Sequence, residues 1–288
     1  MVWLTWVFAS HAQVAPGCVD KVPDPYHEQV QVDFLQNYIA LSSTFSGIHA
    51  PVPHEPGTGG VGVDLNGIPP LPCARRFALN ASKTEETNKS PVLPRLRLSF
   101  ALPSPFGGDE VVPYGSVAYL PPLAVAGQRS TVLSAEGGVG VRLSDGFQLG
   151  GRFHATSMKT IADAATSLDK NGAEALDLYL ANTLGFDFLV GFPTGRTTPY
   201  LAVGLTDAST YFWVGDDGVM SNNLHPYAGL ALSAGLDTLL EMGMRLGLEL
   251  YAAPGGHSRP DKNFENEVGF GGYGHLYTLR ARVAWEFD

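Results

Sequence analysis

An all-β fold is what this sequence predicts, in the form of a transmembrane antiparallel up-and-down β-barrel, and three observations carry it. Segment after segment alternates apolar and polar residues with period two. The connections between those segments alternate long and short, and no window holds the roughly 18 uninterrupted apolar residues of a membrane-spanning helix.

The C-terminal stretch LYTLRARVAWEFD shows the alternation most clearly. Tyr277, Leu279, Ala281, Val283, Trp285 and Phe287 fall on one face, and Thr278, Arg280, Arg282, Ala284 and Glu286 on the other. In RLRLSFAL, Leu96, Leu98, Phe100 and Leu102 oppose Arg95, Arg97 and Ser99. In EGGVGVRL, Val139, Val141 and Leu143 oppose Glu136, Gly138, Gly140 and Arg142. In MRLGLELYA, Met244, Leu246, Leu248 and Leu250 oppose Arg245, Gly247, Glu249 and Tyr251.

Further strands are expected over 34–48, 59–70, 114–126, 147–158, 176–192, 198–214 and 226–237. Within 160–184 the run AEALDLYLANTL also fits a helix, with Leu176, Leu180 and Leu184 on one stripe. The alternation that continues through Phe186, Phe188, Val190 and Phe192 favours a strand. These segments, with the four quoted above, total about eleven, whereas single-chain bacterial barrels have even strand numbers; the expectation is therefore about twelve strands, within a range of about 10–14, the missing one lying near the N-terminus.

Connections are long at 253–274, 215–225 and 159–175, and short at 238–242, 193–197 and 144–146. A barrel with long outer loops and short periplasmic turns produces this parity, and a sandwich has no reason to. The stretch PSPFGGDEVVP departs from it, being long where a short turn is due.

Composition narrows the class. Charged residues make up 16% of 288, against about 25% in ordinary soluble domains, and the 34 glycines and 21 prolines suit curved strands and turns. A formal charge of −10 with only 18 Lys and Arg excludes a nucleic-acid partner, because phosphate neutralisation needs clustered cations.

Residues 1–12, MVWLTWVFASHA, form a short apolar run ending in small residues at signal-peptidase spacing; with no basic residue before the run, it reads as a signal peptide cut short at its start, or as a buried N-terminal strand. Residues 13–33 then form an N-terminal periplasmic segment and 34–288 the barrel. Cys18 and Cys73 are disulfide candidates in an oxidising compartment, with two separate thiols as the alternative; two cysteines do not make a zinc site.

A closed barrel leaves no unpaired sheet edge, so it tolerates lipid outside and water inside. Its lumen would then be lined by the basic Arg95, Arg97, Arg142, Arg152, Arg245, Arg280 and Arg282 and by the acidic Glu136, Asp177, Asp187, Glu249 and Glu286. Tyr200, Tyr211, Phe212 and Trp213, near strand ends, suit an interfacial girdle or a core.

The terminal strand resembles the C-terminal signature of Gram-negative outer-membrane barrel proteins, a terminal aromatic preceded by alternating hydrophobics and read by the barrel assembly machinery. Tyr277, Leu279, Ala281, Val283, Trp285 and Phe287 match it, and Asp288 follows the aromatic where the signature ends. GGVGVDLNGIPPL, KTEETNKSP and GDDGVMSNNLHPYAG are similar to stretches of an uncharacterised barrel family. The resemblance implies an outer-membrane location and names no functional residue.

Catalysis finds little support. His154 and Ser157 have opposite parity and would face opposite sides of the wall, and the adjacent His257 and Ser258 read as a solvated turn. Asp216 and Asp217 could offer oxygens to calcium but also read as a turn. No catalytic residue, metal or cofactor is expected. The expected function is a passive channel or binding barrel for small solutes, hydrophobic ones included. The alternatives are a structural or surface-interaction barrel with a plugged lumen, and a soluble secreted β-sandwich.

Overall fold

The computed structural model describes residues 16–19, 28–78, 83–84, 91–125, 128–144, 146–162, 177–214, 219–222, 226–254 and 276–287. Ten strands form the wall: β1 (Gly59–Gly67), β2 (Val92–Ala101), β3 (Val111–Val125), β4 (Gln128–Arg142), β5 (Gln148–Ala162), β6 (Asp177–Gly191), β7 (Thr197–Val214), β8 (Tyr227–Leu239), β9 (Met244–Ala253) and β10 (Leu276–Phe287). Each pairs antiparallel with its sequence neighbours, and β1 closes on β10 with Val63 opposite Val283. A single sheet closed on itself is a barrel, which replaces the sandwich alternative.

The strand count corrects the expectation of twelve. Residues 34–48 are not a strand: Glu28–Ser43 is a helix, α1, that stands inside the barrel. Glu, Gln, Leu and Ala favour it. At its end the Ser42 and Ser43 hydroxyls donate to the carbonyls of Ile39 and Ala40 at 2.7 Å, and the Thr44 amide closes a last tight turn on the Leu41 carbonyl at 3.1 Å. The domain boundary expected at 33/34 falls within α1. The signal-peptide reading of residues 1–12 lies outside the described residues.

The alternation sorts the wall as period two requires. Leu96, Phe153, Phe188, Leu205 and Leu279 are exposed on the outer surface, while Arg95, Arg152, Asp187, Thr206 and Arg280 are buried within. Pro121 and Pro122 interrupt the β3–β4 ladder, where the register shifts between Leu120 and Leu123, as expected of residues that cannot donate.

Connections 68–91, 163–176, 215–226 and 254–275 join strands at one end, as does the two-residue link at 126–127. Connections 102–110, 143–147, 192–196 and 240–243 emerge at the other, where β10 ends. The PSPFGGDEVVP stretch thus lies on the short-turn side, where 102–110 is the longest connection, as expected, and the two-residue 126–127 link is a second departure from the alternation of lengths. Val219–Asn222 extends the β7 hairpin, and Phe77–Ala78 pairs with Lys83–Thr84 within the β1–β2 connection.

Inside, the long-loop half holds the main apolar cluster, with Gln31, Asp33, Gln36 and Asn37 of α1 buried beside it. Phe34, Leu35, Tyr38 and Leu41 of α1 pack against Leu93, Val132, Met158, Tyr179 and Tyr251 of the wall. The short-turn half is ionic, and residues 44–58 run through it as a strap that bends at Ile48 and turns at 55–58.

Candidate functional site: the occupied lumen

Two walls of opposite character face the strap. On one side, β2 and β10 present Arg95, Arg97, Arg280 and Arg282, all buried, with Asp64 of β1 between them. On the other, Glu136 of β4, Asp187 of β6, Asp237 of β8 and Glu249 of β9 are buried, with Arg152 of β5 between the first two. The arginines serve backbone carbonyls of the incoming chain: Arg95 donates to Ser43 O at 3.0 Å, and Arg97 to Ser46 O at 2.9 Å and to Gly47 O. Arg282 reaches Gly47 O at 3.4 Å.

The acids take the strap's donors. Ser46 Oγ donates to Glu249 at 2.5 Å, the Ala50 amide to Asp237 at 3.1 Å, and His49 Nε2 pairs with Glu136 at 2.8 Å. The incoming chain thus offers its Ser43, Ser46 and Gly47 carbonyls to the arginines and the Ser46 hydroxyl, the His49 ring and the Ala50 amide to the acids, so a basic wall facing an acidic one satisfies both sets. Charges buried this deeply require such partners.

The walls also pair with each other. Arg152 Nε bonds Asp187 at 2.7 Å and its other nitrogens lie 4.0 Å from Glu136 and Glu249. Arg97 meets Asp64 at 3.0 Å, Arg282 meets Asp237 at 3.5 Å, and Arg245 meets Asp237 at 3.1 Å and Glu286 at 2.8 Å. Arg280 stacks on the Tyr251 ring at 3.7 Å and lies 3.9 Å from Glu249. Phe45 fits under Arg95 and Arg97, with guanidinium carbons 5.0 and 4.3 Å from its ring.

Glycines give the strap room. A Cβ on Gly247 would strike Ile48 O, one on Gly140 would strike Pro51 O, and one on Gly191 would lie 2.8 Å from the Pro51 ring. At these points the wall approaches the strap as closely as backbone can.

Most residues expected in the lumen are thus drawn into one network. Arg142 is placed differently, at the short-turn rim, where it pairs with Glu55 at 2.8 Å and both side chains are partly open. Asp177 opens β6, and its side chain lies outside the described residues. Tyr200 is no girdle residue: it faces inward and donates to Glu249 at 3.0 Å. Cys18 and Cys73 are joined, their Cα atoms 5.4 Å apart. His154 faces Asp187 inside the barrel at 3.5 Å, and Ser157 faces outward. His257, Ser258, Asp216 and Asp217 lie outside the described residues.

Sequence reasoning missed Asp64 and Asp237, whose parity opposite Val63, Leu65 and Leu236 carried the signal. It also missed His49 and His54, which sit in a stretch with no usable period.

A closed ten-stranded wall, apolar outside and ionic inside, is stable with lipid around it and satisfies every condition of a spanning sheet; the protein is an outer-membrane β-barrel. No family model matches the chain, and no curated protein matches it. Among solved structures, the chain is similar to the translocator domain of the autotransporter NalP from Neisseria meningitidis, at 12% identity over 82% of this chain and 89% of that one, with a TM-score of 0.47. It is also similar to the Pseudomonas putida toluene transporter TodX, at 11% identity over 85% and 73% of the two chains and a TM-score of 0.37. An outer-membrane channel from Pseudomonas putida F1 matches at 12% identity, over 84% and 99%, with a TM-score of 0.34.

Proposed function

We propose that this barrel acts as a closed outer-membrane anchor: its lumen is filled by its own residues 28–58, and its long loops form a surface for partners outside the cell. The observation that carries the reading is the strap itself, bonded on one side to the arginine wall and on the other to the acidic wall. A strap held only by apolar contact could slide. One whose departure leaves several buried charges without partners is held firmly, since each such loss costs about 1–3 kcal/mol or more. The role involves no catalytic step, and it needs only lipid and the assembly machinery as constitutive partners.

Passive passage of small solutes, hydrophobic ones included, is the second reading. It is favoured by the balance of charge across the lumen, which would leave a wet polar bore if the strap withdrew. Single-channel recording in a planar bilayer decides between the two. Folded full-length protein should be silent, and a variant lacking 28–58 should conduct in discrete steps. Steady conductance from the full-length protein would overturn the anchor reading in favour of the channel.

A further inference from the structure

We infer that the chain enters the lumen from outside the cell, so that residues 16–19 are displayed on the outer face of the membrane, in place of the periplasmic position expected for 13–33. The inference rests on the occupied-lumen reading and adds a direction to it.

The direction follows from the order of contacts. Gln31 and Phe34, near the start of α1, meet Arg75 in the β1–β2 connection, and the Tyr38 hydroxyl donates to Pro69 O in the same connection. Asn37 accepts from the Tyr227 amide at the first residue of β8. Thr44 O then accepts from Asn66 near the end of β1, and Ser46 reaches Glu249 midway along β9. Ala50 reaches Asp237 near the end of β8, and His54 pairs at 2.8 Å with Glu286 near the end of β10. Finally Gly57 bonds Ala101, the last residue of β2, and β1 begins at Gly59 opposite Phe287.

Every step descends toward the short-turn end, and none returns. The N-terminal end of α1 therefore lies among the long connections, while Phe287 lies on the opposite face. Long connections mark the outside of such barrels and short turns the periplasm. The Cys18–Cys73 disulfide makes the same assignment independently, because Cys73 belongs to the β1–β2 connection at the long-loop end, and Cys18 is buried against it.

The even strand number is also consistent. Ten strands return the chain to the face on which β1 began; the pass through the lumen is the additional crossing that puts residues 16–19 on the other side. The interface between these residues and the β1–β2 connection is thus an extracellular surface, cross-linked by a covalent bond that survives in an oxidising exterior.

The test labels single cysteines on intact cells in a full-length Cys18→Ser/Cys73→Ser background, with a polymer-linked maleimide too large to pass the outer membrane. Val19→Cys reports the N-terminal segment, with Val19 64% exposed; Pro91→Cys reports the long-loop end; Phe106→Cys and Met242→Cys, at positions 82% and 94% exposed, report the short-turn end. Val19→Cys should label to the extent that Pro91→Cys does, without permeabilisation, whereas the Phe106 and Met242 variants should label only after it. Loss of the Val19→Cys signal on intact cells, with Pro91→Cys still labelled, overturns the inference, as does labelling of the Phe106 or Met242 variant from outside. Conductance is read separately: a silent bilayer with Val19→Cys inaccessible would reverse the threading and leave the occupied lumen standing.

Discussion

Gly247→Val is the sharpest probe of the strap. The glycine faces Ile48, and an added Cβ would overlap the Ile48 carbonyl oxygen and lie 3.1 Å from the Ile48 side chain. Because β9 is hydrogen-bonded to β8 and β10 on both sides, the wall cannot retreat; the strap must give. Overpacking of this kind costs about 1–3 kcal/mol. Expelling the strap would forfeit its bonds to Glu249, Glu136 and Asp237, at about 1.5–3 kcal/mol each, or about 4.5–9 kcal/mol together. The valine is therefore accommodated under strain rather than by permanent opening. The strain shifts the closed–open balance, and about 1–3 kcal/mol corresponds to a rise of about 5–150-fold in the open population. Single-channel recording should show brief openings at that increased frequency. Gly137→Val is the control, because Gly137 faces outward with nothing near its missing Cβ. Equal open probability in the two variants, with both barrels folded by heat-modifiability, would refute the reasoning.

Two further substitutions probe the wall. Val283→Lys puts a cation on the outer face and should cost about 2–4 kcal/mol near the bilayer midplane. Arg282→Lys keeps the charge on the inner face, where its contacts with Asp237 and Gly47 are long, and should cost less; denaturant titration in bilayers ranks the two, and the opposite ranking would invert the register of β10. Asp237→Asn removes the negative charge shared by the Ala50 amide, Arg245 and Arg282, and one of its two acceptor oxygens, and leaves two arginines poorly compensated. A loss of about 3–5 kcal/mol is expected from the same titration, and a neutral result would refute the role given to Asp237 in holding the strap.

The parity of the strands was legible in the sequence because a strand's side-chain period is two whatever surrounds it. Leu279 and Arg280 are neighbours in the chain and sit in opposite environments, outside and inside the wall. Lipid tolerates only a closed sheet, so an apolar outer face on repeated strands already implied the barrel. Turn parity was legible from 143–147 to the last strand, where short and long connections alternate, and not upstream, where 102–110 and 126–127 depart from it.

What the tertiary structure alone decided is the content of the lumen. Residues 34–48 resemble a strand in sequence because a helix enclosed on all sides has no solvent face, so Gln36 and Asn37 are as buried as Phe34 and Leu41, and the helical stripe is blurred. The strap that follows has no period at all. Its partners are set by contacts distant in sequence, His49 with Glu136 at a separation of 87 residues and Ser46 with Glu249 at 203. A sequence fixes which side of its own strand a residue occupies; only the closed barrel decides what stands opposite it, and here that is the chain's own N-terminal segment.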